Sequence, residues 1–133
     1  MTTNSLVQKA IYMNISLPLP SRGDIWLINF DPTIGAEIKK VRPALILSID
    51  SLGILPLKVV VPVTGWRTEF ANNPWHIFLA ADVSNGLEKD SALDLLQIKS
   101  LDTQRLVKKM GLVDQSILKE AIKALLIVVG YES

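Results

Sequence analysis

The feature that most constrains this sequence is a succession of short apolar runs, each closed by a turn signal, ending in one stretch of helical period. Residues 25–30 are apolar and aromatic and lie between Gly23-Asp24 and Asp31-Pro32. Residues 44–49 follow Pro43 and stop at Asp50-Ser51, residues 57–63 are rich in valine, and residues 75–81 run toward Ser84-Asn85-Gly86. Runs of this length bounded by Gly, Pro, Asn and Asp read as strands, and valine suits a pleated surface. Segment 91–99 carries apolar residues on both faces, with Leu93 and Leu95 alternating with Leu96 and Ile98, and reads as a central strand. Residues 101–107 read as one short helical turn with Asp102 placed to cap it, and 108–113 as a final short strand. Asp114 is an N-cap. Ile117, Leu118, Ala121, Ile122, Leu125 and Val129 then recur at helical spacing up to Gly130, which suits a helix C-terminus. The order implies a mainly β domain with a C-terminal helix, built as a small, strongly curved sheet or open barrel. Such a fold hosts many functions, so the chemistry must be read from particular residues.

The chain has 133 residues, enough for one domain with its own core. Residues 1–21 read as a tail, because Pro18 and Pro20 oppose helix and inner strand alike; the domain is expected over 22–133. With no cysteine, disulfides, thiolate metal sites and cysteine nucleophiles are excluded. With one histidine, His76, a histidine-rich metal site is excluded too, and neither metal nor cofactor is expected. A net charge of +1 is not that of a protein coating nucleic acid indiscriminately, yet it allows a local basic patch. No apolar run approaches the ~18 residues of a membrane span. Residues 1–20 lack the basic start and long apolar stretch of a signal peptide, so a cytoplasmic protein is expected.

Residues 22–44 read Arg22-Gly23-Asp24-Ile25, then Asp31-Pro32-Thr33-Ile34-Gly35-Ala36-Glu37 with Lys39 and Lys40, then Arg42-Pro43-Ala44. This resembles the opening of the MazF/PemK toxins. Those have a Gly-Asp-Ile strand, an Asp-Pro-x-x-Gly-x-Glu loop with basic residues, and Arg-Pro before the next strand. Val61-Pro62-Val63-Thr64, Asp90-Ser91-Ala92 through Lys99, and Asp102-Thr103-Gln104-Arg105-Leu106 continue the resemblance in order, over residues 22 to about 113. It implies a compact SH3-like open barrel of the MazF/CcdB type, a homodimer, a cognate antitoxin, and metal-independent, sequence-specific cleavage of single-stranded RNA. Arg42 and Thr64 match the family's catalytic pair. Lys99 stands where many members have arginine and Leu96 where many have aspartate, which bears on substrate binding along that strand.

These residue types suit the implied chemistry. RNA cleaves when its 2′-hydroxyl attacks the adjacent phosphorus in line, giving a 2′,3′-cyclic phosphate and a 5′-hydroxyl. A protein then has to position the strand and stabilise charge on the phosphorane oxygens. The planar guanidinium of Arg42 can hold two phosphate oxygens at once, and Pro43 restricts its backbone to extended shapes. Thr64 can hydrogen-bond the scissile phosphate or the attacking hydroxyl; a strand-ending threonine bonded to backbone is the alternative. His76 is a secondary candidate, as a proton carrier or RNA contact, beside the alternative of a partly buried histidine. Lys39 and Lys40 with Arg42 form a basic patch suited to RNA backbone. Trp66 and Arg67 can stack on unpaired bases, although Trp66 is equally suited to packing. Gln97 can bond a base edge, and Ser91 is a further candidate RNA contact.

Two other functions are compatible with the same architecture. One is a non-enzymatic toxin similar to CcdB, which inhibits DNA gyrase by protein contact; the retained Arg42 and Thr64 argue against it. The other is an RNA-binding member without cleavage, which Leu96 and Lys99 keep open.

Overall fold

The structure is a computed structural model that describes residues 19–52 and 55–131. The sequence-assigned tail falls, for residues 1–18, outside the described residues. Seven strands follow in chain order: β1 (Asp24–Asn29), β2 (Val41–Ile46), β3 (Leu57–Gly65), β4 (His76–Leu79), β5 (Ser91–Asp94), β6 (Lys99–Asp102) and β7 (Leu106–Leu112). Among the described residues one α-helix, α1 (Gln115–Val128), follows β7. The strand order is β4-β5-β3-β2-β1-β7, with β6 also paired to β3, and every pairing is antiparallel. Strands β4 and β7 end the order without meeting, so the sheet is curved and open, as expected. Among the described residues no helix is long and apolar enough to cross a membrane.

The strands read as continuous apolar runs because this sheet is covered on both faces. On one face Ile25, Leu45, Leu47, Val61, Val63, Leu93 and Leu95 pack with Leu118, Ala121 and Ala124 of α1. On the other, Trp26, Ile28 and Phe30 pack with Ala44, Ile46, Val60, Leu101 and Leu106. The buried Trp26 indole keeps a polar partner there, donating to Asp24 Oδ2 at 3.1 Å.

Several boundaries differ from the sequence expectation, three of them with an evident cause or consequence. Segment 91–99 is not one strand. The Asp94 carboxylate accepts a hydrogen bond from the Leu96 amide at 3.1 Å and caps a 3-10 turn at Leu95–Gln97. An aspartate side chain that bonds local backbone competes with the strand ladder. Strands β5 and β6 on either side of the turn both return to β3, as Leu93↔Val63 and Lys99↔Val60. The helical turn expected over 101–107 is confined to Thr103–Arg105, capped by Asp102 as anticipated, and β7 begins directly after it at Leu106. Pro43 does not open β2 but sits inside it, opposite Leu27 of β1.

That last position shapes the molecule. Strands β2 and β3 pair as Ile46↔Val60, Leu45↔Val61 and Ala44↔Pro62 and then separate. Proline has no amide proton for the ladder, so Pro43 and Pro62 mark the place where pairing ends. Beyond it β3 continues with β5 alone, through Val63↔Leu93, Thr64↔Ala92 and Gly65↔Ser91. Continuing the β2–β3 register past Ala44↔Pro62 would set Pro43 against Val63 and Arg42 against Thr64.

The far wall of the resulting opening depends on two glycines. A side chain at Gly111 in β7 would strike the Ser84 carbonyl oxygen and approach the Asn85 carbonyl carbon to 2.6 Å; one at Gly86 would strike the Met110 carbonyl oxygen. Gly86 also needs its positive φ of 70°. The neighbours are backbone and cannot yield cheaply, so Gly111→Ala should destabilise the fold by about 2 kcal/mol or more. Thermal unfolding checks this. A second prediction concerns pH. The Ser116 hydroxyl and then the Ile117 amide, both donating to Asp114, hold its carboxyl below its ordinary value. A depressed carboxylate contributes stability above its unfolded pKa and loses it as pH falls through its folded value. The Tm gap between the native protein and Asp114→Ala should therefore be present at neutral pH and narrow on acidification below the ordinary carboxylate range.

Candidate functional site

The parting of β2 and β3 opens a cleft of about 480 Å³. Leu27, Arg42 and Pro43 form one lip and Val63, Thr64 and Gly65 the other; Gly86–Lys89, Ser91 and Lys108–Met110 complete it. Arg42 and Thr64, separated by the whole of the β2–β3 hairpin in sequence, thus line one cavity. Both are half-buried.

The Arg42 side chain is held at one nitrogen. Its Nε donates to the Lys39 carbonyl at 2.9 Å, which leaves the two terminal nitrogens of the fork for a ligand. That carbonyl is fixed in turn by the loop between β1 and β2. The Phe30 amide donates to the Lys40 carbonyl at 2.9 Å, and the Lys40 amide donates to Asp31 Oδ1 at 3.0 Å. Lys40 has φ 71°, a left-handed conformation that lysine adopts only where surrounding bonds hold it. Arg105 braces the same turn from β7's side, its Nη1 donating to the carbonyls of Asn29 and Asp31.

Gln97 braces the loop further along. Its Oε1 accepts from the Ile38 amide and its Nε2 donates to the Ala36 carbonyl, both at 3.1 Å. The amide expected to meet a base edge is thus engaged with protein backbone. Lys99 Nζ lies 4.0 Å from Glu37 Oε2, a further tie to the loop.

The other sequence candidates distribute as follows. Ser91 lines the cleft but is buried, and its hydroxyl donates to the Lys89 carbonyl at 2.8 Å. Lys39 and Lys40 are exposed on the adjoining loop. Trp66, half-buried, stands edge-on to Phe70 and Phe78, with centroids 6.0 and 5.0 Å away. Arg67 is exposed and 3.8 Å from Glu69. His76 stands apart from the cleft lining. Its ring stacks on Phe70 at 3.8 Å, Nδ1 meets the Asn73 side chain at 3.2 Å, and Nε2 lies 3.7 Å from Asp94. With 7% of its side chain exposed, it packs an aromatic group beside the site.

Sequence reasoning missed Lys89, Lys108 and Lys109, three cations that line the cleft. Lys89 precedes the Asp90-Ser91 pair that was singled out, but its nearness to Gly65, the neighbour of Thr64, arises only from the β3–β5 register. Arg105 was noted as part of a turn, and its bracing role needed coordinates.

The sequence matches the PemK-like, MazF-like toxins of type II toxin–antitoxin systems over residues 21–129. It is 32% identical over 110 residues to endoribonuclease MazF9 of Mycobacterium tuberculosis, covering 78% of this chain and 91% of that protein. It is also 32% identical over 106 residues to endoribonuclease EndoA of Bacillus subtilis, covering 78% and 89%. The crystal structure of MazF from Deinococcus radiodurans superposes with a TM-score of 0.71 at 26% identity, over 86% of this chain and 99% of that one. The fold, the residue pattern and these relatives agree: the chain belongs to the PemK-like, MazF-like toxins of type II toxin–antitoxin systems.

Proposed function

We propose that this toxin is a metal-independent endoribonuclease that cuts single-stranded RNA at short sequences, with Arg42 and Thr64 as its catalytic residues. The observation that carries the reading is their convergence on one cleft, with the Arg42 fork fixed at Nε and open at its terminal nitrogens. Relatives named as endoribonucleases support the same activity.

The cleft suits a strand bent for in-line attack. The 2′-oxygen bonds to phosphorus, the bond from phosphorus to the 5′-oxygen breaks, the 2′-hydroxyl gives up its proton and the departing 5′-oxygen gains one. The products are a 2′,3′-cyclic phosphate and a 5′-hydroxyl. Negative charge grows on the non-bridging oxygens during this step, and a preorganised guanidinium stabilises it most where water is displaced. Thr64, from the facing lip, hydrogen-bonds the phosphate or orients the 2′-hydroxyl. Lys39 and Lys40 hold flanking phosphates, Ser91 lines the bed of the strand, and Trp66 with Arg67 offers a stacking surface for an unpaired base. In this reading Gln97 acts through the loop it braces, and His76 through the aromatic group it packs. A cognate antitoxin, presenting an acidic extended or helical segment over the cleft, and a homodimeric assembly complete the proposal.

The test is cleavage of a long, defined single-stranded RNA with EDTA present, comparing native protein with Arg42→Ala. Discrete cuts with 5′-hydroxyl ends, reduced at least ~10²-fold in the variant, are the expected result. Intact RNA after incubation with folded, antitoxin-free native protein, across RNAs of varied sequence, would overturn the reading. Cutting that requires an added divalent ion would overturn its metal independence.

A further inference from the structure

We propose that Lys89 is a further catalytic residue, a second cation on the scissile phosphate that acts from the Thr64 side of the cleft, opposite Arg42. The inference rests on the endoribonuclease reading above. It starts from Gly65. The space that a β-carbon would occupy there lies 3.2 Å from Lys89 Nζ and 3.3 Å from its Cε. The ammonium therefore rests over the residue that follows Thr64, and a glycine at that position makes room for it.

The backbone carrying Lys89 is held on both sides. The Ser91 hydroxyl donates to the Lys89 carbonyl at 2.8 Å. The Asp90 carboxylate accepts from the Ala81 amide at 3.0 Å, and the Asp90 carbonyl accepts from the Trp66 amide at 3.1 Å. These bonds fix the turn entering β5 against the end of β3, so the lysine stem starts from a defined point next to Trp66 and reaches back over Gly65.

Its charge is also available. Among the described residues the ion pairs within 4.0 Å join Glu69 to Arg67, Asp94 to His76, Glu37 to Lys99 and Asp24 to Lys109. Neither Lys89 nor Arg42 is in them. Glu88 lines the same cleft, but its carboxylate does not come within that distance of Lys89. An unpaired ammonium against Gly65, in a cleft that a guanidinium and the Thr64 side chain also line, is a site prepared for an anion. Lys108 and Lys109 also line the cleft, but from the β7 wall, and Lys109 is paired with Asp24.

A phosphate entering between the lips meets the planar fork of Arg42 on one side and a compact, mobile point charge on the other. The two cations share the charge that builds on the non-bridging oxygens as the 2′-oxygen attacks. Lys89 supplies charge to this step and transfers no proton. Its contribution should then appear in kcat. A lysine that merely holds RNA backbone would appear in KM and in salt sensitivity.

The experiment measures kcat and KM on a short fluorescent single-stranded RNA containing a site mapped with the native protein, for native, Lys89→Ala, Lys89→Arg and Gly65→Ala, alongside Tm for each. Lys89→Ala is expected to lose about 10²-fold in kcat with KM within about twofold of native and Tm unchanged. Lys89→Arg should recover at least about a tenth of native kcat. Gly65→Ala, which displaces the ammonium by a few tenths of an ångström, should fall between native and Lys89→Ala. A Lys89→Ala protein with native kcat would overturn the proposal while leaving the endoribonuclease reading intact. So would a defect confined to KM and erased at low salt. A native protein that cuts no RNA would take both down.

Discussion

A hydrogen bond that cannot be made organises this molecule. Two adjacent antiparallel strands would ordinarily zip along their full length, because each unpaired backbone group in a sheet interior is costly. Here β2 and β3 carry proline where they part, at Pro43 and Pro62, and the ladder ends there. Strand β3 keeps its other partner, β5, so the separation leaves the sheet continuous on one side and open on the other. The opening has a floor and a far wall because the turn around Gly86 presses against Met110 and Gly111 of β7. A cavity in the middle of a small curved sheet thus arises from strand pairing alone, without a long inserted lid.

The polar side chains around it divide into those aimed inward and those that hold the aim. Arg42 and Thr64 belong to the first group. Asp31, Gln97 and Arg105 belong to the second, since each bonds backbone of the β1–β2 loop. Lys40 illustrates the division. Its left-handed backbone runs against the preference of its side chain, and it persists because its amide and carbonyl are both engaged. Reversing that turn would withdraw the Lys39 carbonyl on which the Arg42 guanidinium rests.

Much of this was legible in the sequence, for identifiable reasons. The runs that became β1, β2, β3 and α1 stood out because a sheet covered on both faces demands unbroken apolar stretches, and a helix packed along one stripe demands period. Asp102 and Asp114 were recognisable as caps because their role is local. Segment 91–99 misled for the converse reason. Its apolar residues fill both faces whether or not the chain turns, and the deciding bond, from the Leu96 amide to Asp94, leaves no trace in apolar pattern. His76 was ambiguous because its surroundings come from the turn at Thr68–Asn72, which places Phe70 on the ring. Lys89 was invisible because its place over Gly65 depends on the registry of two strands separated in the chain.

The β1–β2 loop has a further consequence. Its anchors lie at its two ends: the Asn29, Asp31 and Lys40 bonds at the base, and the Gln97 clasp on Ala36 and Ile38. Between them Ile34 is 83% exposed, and a side chain at Gly35 would meet nothing. Among the described residues the apex is tied back only through Glu37, which accepts from the Ile34 amide at 2.7 Å and lies 4.0 Å from Lys99 Nζ. Neither Ile34 nor Gly35 takes part in the bonds that set Arg42, although Gly35 has a positive φ of 57° that favours glycine. The loop thus separates mechanically into a tip that faces solvent and a base whose bonds set the backbone under Arg42.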